Sequence, residues 1–305
     1  MRVAVIGGGR SSEHEVSLAS AAGVANALDA RHEVVRLTID PDGQWRATHP
    51  ITPGEAIEML RACAVAFPML HGPHGEDGTL AGLLELAGVP YVGSGVRAGA
   101  IAMDKWVTKL VAAASGVKTA AGVLLRRGEP YEFDGPVVVK PVASGSSFGV
   151  SLVRSADHLG AALEAAFALD DRVLIEEVVR GREIDVAVIR RPNGDLIVSP
   201  PLEIVANGIF DHDTKYNGSA QFVVPAPLGA DELDALDRAA VAIYDALGCA
   251  GVARIDFFLA DDGPVLNEVN TMPGFTSQSQ VPRMFAAAGV DYPDLLELLA
   301  QDALA

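Results

Sequence analysis

The chain has 305 residues, half of them hydrophobic, so it is long enough to bury two or three packed units and is not globally disordered. It contains 23 Lys and Arg against 40 Asp and Glu, a net charge of −17 that opposes non-specific binding to nucleic acid or to an anionic membrane. Cys63 and Cys249 lie far apart in apolar surroundings, which excludes a disulfide framework and a cysteine metal cluster. Because no signal-like or membrane-spanning apolar run occurs, we expect a soluble cytoplasmic protein.

The first hundred residues alternate between strand and helix patterns. β-Branched runs predict strands, and apolar residues at helical spacing predict helices between them. The predicted strands cover residues 3–6, 32–39 and 65–69, and the predicted helices cover residues 16–28 and 80–87. Such alternation predicts a parallel sheet with helices on both faces.

Beyond a predicted helix at residues 104–114, the pattern changes to short strands around one helix. The helix covers about residues 156–168. The strands are predicted at residues 137–140, 149–153, 173–177, 184–189 and 196–198. This pattern predicts an antiparallel sheet with a helix packed on it, an α+β unit.

The last third begins with a polar stretch, residues 206–221, that has no periodicity. Such a segment inside a compact domain is often a lid or a substrate loop. A long helix near residues 230–247 follows, and then strands, a loop and a terminal helix. The strands are predicted at residues 252–259 and 265–269, the loop at residues 271–283 and the terminal helix at residues 291–301.

Glycines at positions 7 to 9 follow the first predicted strand and suggest a dinucleotide site. The fingerprint of that site needs glycine at position 12, where Ser12 stands, so we discount an oxidoreductase. Glu13 instead lies at the carboxyl end of the strand, where ligands bind in open α/β sheets, and is suited to an ammonium group. Helix capping by Ser11 or Ser12 is an equally good interpretation.

Residues 71–78 read HGPHGEDG, and the spacing of His71 and His74 superficially suggests a metal site. Three glycines and a proline predict a tight loop instead of a helix that presents both imidazoles on one face. We therefore expect His71 to donate a hydrogen bond to a small substrate or to stabilise the loop.

Lys140 ends an apolar strand and precedes a loop rich in glycine and serine, residues 144–149. Backbone N–H groups and hydroxyls of such a loop can surround a polyphosphate, while the lysine supplies positive charge. The loop is not a Walker A motif, because no Gly-Lys-Ser/Thr opens a helix here. A surface hairpin is the alternative.

Polar side chains end two consecutive strands near the C-terminus. Arg254 and Asp256 follow one apolar run, and Glu268 and Asn270 lie on the same face of the next. Oxygen ligands without histidine or thiolate are those that magnesium prefers. Arg254 beside them is suited to stabilise negative charge on a phosphoryl or carbonyl oxygen. A solvated hairpin is the alternative.

Together these segments resemble the ATP-grasp superfamily and, within it, the D-alanine–D-alanine ligases, over essentially the whole chain. Nine motifs occur in the family's order, and nine in register are specific although each alone is weak. They are GGxSxExEVS at 8–17, HGxxGEDG at 71–78, GSG at 93–95, MDK at 103–105, VKP at 139–141, GSSxG at 145–149, KY at 215–216, RID at 254–256 and EVNTxPGxT at 268–276.

The resemblance implies an α/β protein with three-subdomain ATP-grasp architecture. A parallel N-terminal α/β unit, residues 1–96, precedes two α+β subdomains, residues 97–180 and 181–305, which enclose the nucleotide. It also implies ATP and two Mg²⁺ ions, with Mn²⁺ as an alternative metal. The implied ATP-binding residues are Lys105, Lys140, Ser144, Gly145, Ser146, Ser147, Glu176, Glu177, Val179, Glu183 and Lys215, and the implied metal ligands are Asp256, Glu268 and Asn270.

By the same resemblance, Glu13, Ser146 and Tyr216 form a hydrogen-bonded trio at the amino-acid site. Arg254 and the Gly274 N–H would face the oxyanion, and the remaining substrate residues are His71, Ser279 and Gln280. The implied reaction activates one D-alanine as an acyl phosphate and joins it to a second D-alanine for peptidoglycan precursor synthesis. The segment 206–221 would then act as a lid that excludes water.

Two positions depart from the family pattern. Gln280 stands where the family usually has an aliphatic residue, and Phe148 replaces a smaller aliphatic one. An amide at position 280 could select a more polar acceptor, so a ligase of other amino acids is the main alternative. A non-catalytic nucleotide-binding protein would be expected to lose Arg254 or a metal ligand, and this chain keeps them. The family is commonly homodimeric.

Overall fold

The computed structural model describes residues 1–205 and 221–305. Most of the predicted lid, including Lys215 and Tyr216, lies outside the described residues. Its last residue, Gln221, begins a strand. The described residues form a mixed α/β structure with three sheets, as expected from the sequence.

The first sheet contains three parallel strands and a short antiparallel edge. Its order is β4-β3-β2-β1-β5, from β1 (Arg2–Gly8), β2 (Glu33–Ile39), β3 (Trp45–Arg46), β4 (Pro50–Ile51) and β5 (Val65–Pro68). β1 is parallel to β2 and β5. Alternate β1 residues contact α1 (His14–Leu28) on one face and α2 (Pro53–Arg61) and α3 (Thr79–Ala87) on the other. This confirms the predicted parallel sheet with helices on both faces.

The second sheet is antiparallel. Its order is β7-β10-β8-β9, from β7 (Gly122–Arg126), β8 (Val137–Pro141), β9 (Ser151–Val153) and β10 (Arg172–Glu177). A single 3₁₀ turn, Ala156–His158, leads into α6 (Leu159–Phe167), and Ala166 and Phe167 pack against the sheet. The predicted antiparallel sheet with one helix is therefore present at this position.

The third sheet has seven strands and is the largest. The path β14-β13-β11-β15-β16-β6, with β12 paired to β11, contains β6 (Lys118–Thr119), β11 (Arg182–Arg190), β12 (Leu196–Val198), β13 (Leu202–Val205), β14 (Gln221–Val223), β15 (Val252–Ala260) and β16 (Gly263–Asn270). Its helices are α4 (Val96–Met103), α5 (Lys105–Ala114) and α7 (Ala230–Leu247). The subdomain boundaries near 96 and 180 stay a prediction.

Two predictions from the sequence pattern were wrong, one about strand placement and one about a loop. The strand pattern grouped β11 and β12 with the second sheet, but both belong to the third, because the apolar residues of β11 are buried on both faces and pair with β15. Residues 271–283, expected as a loop, end in α8 (Gln280–Ala287). Pro282 fits its first turn, where a backbone N–H has no helical partner, and Val281 and Phe285 are buried.

A shared core fixes the first and third sheets relative to each other. Helix α8 and the terminal helix α9 (Tyr292–Asp302) supply apolar side chains that pack with those of α1 and β11. The loop between β16 and α8 also packs against the N-terminal unit, where the Phe275 N–H donates to Ser20 of α1 and the Met272 carbonyl lies 2.8 Å from His71 Nδ1.

Candidate functional site

A cavity of about 650 Å³ is lined by residues from all three sheets or from the helices and loops connected to them. Within the described part of the chain, every predicted site residue except Gly145 lines this cavity. We call two groups of residues at this cavity the lysine end (Lys105, Lys140 and Glu176, with Lys109 in contact with Glu176) and the loop end (Asp185 and residues 272–280).

The lysine end contains two lysine side chains that contact one buried carboxylate, Glu176, and a third lysine, Lys105, whose Nζ lies 3.3 Å from Glu268. Lys140 Nζ lies 2.6 Å from Glu176 Oε2 and 3.3 Å from Asn267 Oδ1, and Lys109 Nζ donates to the other carboxylate oxygen. Burial alone would raise the pKa of Glu176, but the two lysines lower it below its usual value. Because both oxygens of Glu176 contact lysines, its first role here is to balance their charge.

The glycine and serine loop adopts a strained backbone beside the lysines. Ser146 and Ser147 have φ angles of 48° and 56°, in the left-handed region that L-residues rarely adopt. Lys105 Nζ donates to the Ser144 carbonyl at 2.7 Å and fixes the start of the loop. A loop of this shape, next to buried ammonium groups, is suited to an anion such as a polyphosphate.

Glu13 connects the N-terminal unit to this loop. Ser146 Oγ donates to Glu13 Oε1, and the Glu13 backbone N–H donates to Ser11 Oγ at 3.2 Å. Two glycines allow the carboxylate to approach: a Cβ at Gly72 would lie 2.6 Å from Glu13 Oε2, and one at Gly145 would collide with the same atom. The predicted pair of Glu13 and Ser146 is therefore formed.

A row of polar side chains crosses strands β15 and β16. Arg254 lies opposite Asn270 and Asp256 opposite Glu268, so all four share one face. Arg254 donates to both carboxylate oxygens of Asp256, at 2.7 and 2.8 Å, and Asn270 donates to Asp256 at 3.0 Å. Burial would lower the pKa of Arg254, but the Asp256 carboxylate raises it, so the guanidinium stays charged beside the cavity.

The donor set of this row fits Mg²⁺ in part. Asp256, Glu268 and Asn270 offer hard oxygen ligands, although Asp256 contacts Arg254 and Glu268 lies 3.3 Å from Lys105 Nζ. In the ranges 1–205 and 221–305, no three His, Cys, Asp or Glu side chains converge as a complete metal cluster. Mg²⁺ usually completes its shell with substrate phosphates, and the described cavity lining has nine acidic against four Lys and Arg side chains. A polyanion in such a cavity requires additional cations.

His71 stabilises the loop end from behind. Its Nε2 lies 2.9 Å from Ser20 Oγ and its Nδ1 2.8 Å from the Met272 carbonyl. Ser20 Oγ also accepts the Phe275 N–H at 3.1 Å. Because the Ser20 hydroxyl can then donate to Nε2 while Nδ1–H donates to Met272, both ring nitrogens are occupied within the protein. The loop-stabilising interpretation of His71 is supported, and its contact with substrate stays a prediction.

The chain makes a tight turn between Thr276 and Ser279 in the loop end. Ser279 Oγ accepts the Thr276 N–H at 3.0 Å and lies 2.9 Å from the Thr276 hydroxyl. Gln280 Nε2 donates to Asp185 Oδ2 at 2.8 Å, and Asp185 Oδ2 lies 3.6 Å from Arg254 Nε. Gly274 also lines the cavity, and a Cβ built at this position would lie 3.5 Å from Ser279 Oγ.

Sequence reasoning missed four residues of the site: Lys109, Glu76, Ser20 and Asp185. Lys109 follows Lys105 by one helical turn, a spacing that places both on one helix face. Glu76 lies 3.6 Å from His71 Nδ1, and burial raises its pKa. Asp185 lies two residues after Glu183 on β11, a spacing that places both side chains on the same face of the strand, towards the cavity. No local signal distinguishes Ser20 from its neighbour Ser17.

Family profiles match both parts of the chain. A profile described as D-ala D-ala ligase C-terminus matches residues 124–301, and one described as D-ala D-ala ligase N-terminus matches residues 2–58 and 48–94. The matched ranges include all the predicted site residues that the structure describes except Lys105.

Individual proteins agree over the full length. The chain is 44% identical to a D-alanine–D-alanine ligase of Mycolicibacterium smegmatis and 42% identical to one of Mycobacterium ulcerans, with 100% of this chain and 95% of each relative covered. A solved D-alanine–D-alanine ligase of Bacillus anthracis, complexed with ATP, has 33% identity and a TM-score of 0.84 over 100% of this chain and 97% of that one. A D-Ala:D-Ser ligase of Enterococcus faecalis has the same identity and TM-score, with 99% of both chains covered.

Proposed function

The chain belongs to the D-alanine–D-alanine ligase family, and from this premise we propose that it joins two D-alanine molecules at the expense of ATP. A carboxylate oxygen of the first D-alanine attacks the γ-phosphorus of ATP, releases ADP and forms an acyl phosphate. The amine of the second D-alanine attacks the carbonyl carbon, loses a proton and expels phosphate. The observation that supports this best is one cavity that contains the lysines, the Arg254 row and Glu13 together.

The lysine end would bind ATP. Lys105 and Lys140 would neutralise phosphate charge, and the loop 144–149 would surround the phosphates with N–H groups and hydroxyls. Lys215 would add a further positive charge. The adenosine part would contact Glu176, Glu177, Val179 and Glu183, all of which line the cavity.

Asp256, Glu268 and Asn270 would hold Mg²⁺, the metal that the family implies. When bound there, the metal neutralises phosphate charge during the transfer. Lys105 lies near enough to Glu268 to share that carboxylate with the metal. The residues themselves bind and orient ATP so that its γ-phosphate meets the first carboxylate.

The amino acids would bind at the loop end and beside Glu13. Glu13 would receive the first ammonium group, with Ser146 and Tyr216 completing the trio. Arg254 and the Gly274 N–H would stabilise negative charge on the carbonyl oxygen, and Ser279 would bind the second carboxylate. Positioning two reactants in this way can lower the barrier by about 7 to 11 kcal/mol.

The wider role follows from the product. D-Alanyl-D-alanine is a cell-wall precursor made in the cytoplasm, and we propose that location together with a homodimeric state. No helix in the described part of the chain is long and apolar enough to cross a bilayer.

The proposal is tested by incubating the purified protein with ATP, Mg²⁺ and D-alanine, and measuring phosphate release and product mass. We expect one dipeptide per phosphate, with L-alanine inactive. Phosphate release without dipeptide, or turnover only with unrelated amino acids, would contradict the proposal.

The metal assignment has its own test. Glu268→Gln keeps the size of the side chain but removes a charged ligand, so we expect the Mg²⁺ concentration for half-maximal ATP binding to rise at least about tenfold. Mg²⁺-dependent nucleotide binding is measured by fluorescence titration, and circular dichroism checks the fold. Unchanged Mg²⁺ dependence would remove Glu268 from the metal site.

A further inference from the structure

Phe275, which follows Gly274 in the loop end, is bonded to the rest of the protein through both of its backbone groups. Its N–H donates to Ser20 Oγ at 3.1 Å, and its carbonyl accepts the hydroxyl of Tyr292. Gly274 lines the cavity, and within residues 1–205 and 221–305 its N–H makes no hydrogen bond. An N–H that is free for a ligand is therefore followed directly by a residue that the protein holds on two sides.

Tyr292 is the first residue of α9, and it contacts the loop in two ways. Its ring is tilted against the Phe275 ring, with the centroids 6.3 Å apart, and its hydroxyl bonds the Phe275 carbonyl. Position 23 of α1 is glycine, and a Cβ there would lie 3.4 Å from Tyr292 Oη and from Thr276 Cα, so α1, the loop and α9 pack closely. Burial raises the pKa of Tyr292, which keeps its hydroxyl protonated and able to donate.

In the part of the chain that the structure describes, Tyr292 is not among the residues that line the cavity. It can therefore act on the reaction only through the loop that it holds. The Phe275 carbonyl belongs to the peptide unit that Tyr292 bonds, and the Phe275 N–H belongs to the preceding unit, which is joined to Gly274. Two fixed peptide units restrict the rotation of the backbone at Gly274.

We propose that Tyr292 is a positioning residue for acyl transfer, because its hydroxyl fixes the backbone that presents the Gly274 N–H to the reacting carbonyl oxygen. This inference rests on the proposed ligase function and deepens it by adding a residue outside the cavity. Negative charge develops on that oxygen when the amine of the second D-alanine forms its bond to the carbonyl carbon, before the bond to phosphate breaks. The attack of the first carboxylate on ATP places no such charge there.

Loss of the Tyr292 hydroxyl should therefore slow the second step and spare the first. A donor stabilises developing charge only when its position is fixed before the reaction. Tyr292→Phe keeps the ring that packs on Phe275 and removes only the hydroxyl. We expect acyl transfer to slow about five- to tenfold, as for the loss of one positioning hydrogen bond.

Positional isotope exchange separates the two steps. The protein is incubated with Mg²⁺, D-alanine and ATP that contains ¹⁸O in its β,γ-bridge. When the acyl phosphate forms, the terminal phosphate of ADP is free to rotate, and reversal returns ATP with the label in a non-bridging position, which ³¹P NMR detects. Dipeptide is measured in the same sample, and the ratio of exchange to dipeptide does not depend on how much active protein a variant retains.

This ratio should be about five- to tenfold higher in Tyr292→Phe than in the wild type, because the acyl phosphate returns to ATP more often when its transfer is slow. Tyr244 of α7 supplies the matched control. Its buried hydroxyl also donates to a backbone carbonyl, that of Gly251 at 3.1 Å, in the connection before β15. Tyr244→Phe should lower the Tm and keep the wild-type ratio.

A ratio in Tyr292→Phe no higher than that of the wild type would overturn the assignment, since the two steps would then be affected alike or not at all. An equal rise in Tyr244→Phe would also overturn it, because the loss of any buried hydroxyl would then have the same effect. If the wild-type protein forms no dipeptide from D-alanine, the proposed function itself fails, and the wild-type sample alone shows this.

Discussion

The lysine end and the loop end of the cavity are built in different ways. In the described residues, the lysines and Glu176 of the lysine end contact residues of the second and third sheets and their connections, as between Lys105 and Ser144, Lys109 and Glu176 or Lys140 and Asn267, and make no contact with the N-terminal unit. The loop end depends on contacts across most of the chain, Phe275 to Ser20 and His71 to Met272. ATP binding should therefore tolerate changes in the N-terminal unit, whereas the amino-acid steps should not.

The largest effect is expected at Arg254, which lies between the two ends. Arg254→Met should lower kcat by about 100- to 1000-fold, because a donor aimed at developing negative charge is lost. Phosphate release measures kcat. Since the variant leaves two buried carboxylates without their cation, Arg254→Lys is made in parallel, and a stable but slow Lys variant is expected. Full activity in the Lys variant would mean that the guanidinium geometry is irrelevant.

The next effect tests the lysine end alone. Lys140→Met should weaken ATP binding by about 10- to 100-fold, since a charge-assisted contact is lost. The KM for D-alanine, measured at saturating ATP, should stay within about twofold because the loop end is unchanged. A rise in the D-alanine KM as large as that in the ATP dissociation constant would abolish the distinction between the ends.

A matched pair of serines tests the loop end. Ser20→Ala removes the hydroxyl shared by the Phe275 N–H and His71, so we expect kcat to fall about five- to tenfold with ATP affinity unchanged. Ser17 is equally buried but bonds to Gly8 and Met69, away from the loop. Ser17→Ala should lower the Tm and spare kcat. Equal kcat losses in both variants would indicate a general packing effect.

A matched pair of glycines tests whether the Glu13 carboxylate belongs to the D-alanine site. Gly72 and Gly88 both have positive φ, but only Gly72 faces Glu13, while a Cβ at Gly88 would meet nothing within 4 Å. Both alanine variants should lose about 1 kcal/mol of stability. Only Gly72→Ala should raise the KM for D-alanine, by about threefold to fivefold. Parallel KM changes in the two variants would remove Glu13 from the substrate site.

The smallest effect concerns the rim of the cavity. Hydrogen bonds from Arg182 hold the pKa of Glu203 below its ordinary value of 4.5, so the pair stabilises the fold above that pH and the benefit is lost as the pH falls through the lowered pKa. Arg182→Gln should lower the free energy of unfolding by less than about 1 kcal/mol at pH 7, and by progressively less as the pH falls below 4.5 and through the lowered pKa of Glu203. Urea unfolding across this range measures the difference, and a constant difference would contradict the assignment.

The two ends of the cavity also differ in how well the sequence predicts them. The strands that supply Lys140 and the Arg254 row were predicted within a few residues, because β-branched runs and local motifs define them. The sheet to which β11 belongs and the start of α8 at Gln280 were not predicted correctly. The pairing of β11 and the burial of the first turn of α8 both depend on residues that are distant in the sequence. Ser20 and Asp185 were missed for the same reason: each acquires its role only when remote segments pack against it.

The central claim is that a carboxylate of D-alanine attacks ATP in this cavity, and an isotope experiment tests it most directly. D-Alanine labelled with ¹⁸O in its carboxyl group is converted to product with ATP and Mg²⁺, and the released phosphate is analysed by mass spectrometry. An acyl phosphate requires the attacking oxygen to leave with the phosphate, so each phosphate should contain one ¹⁸O atom. Dipeptide formed with unlabelled phosphate, or with ¹⁸O in AMP, would contradict the account.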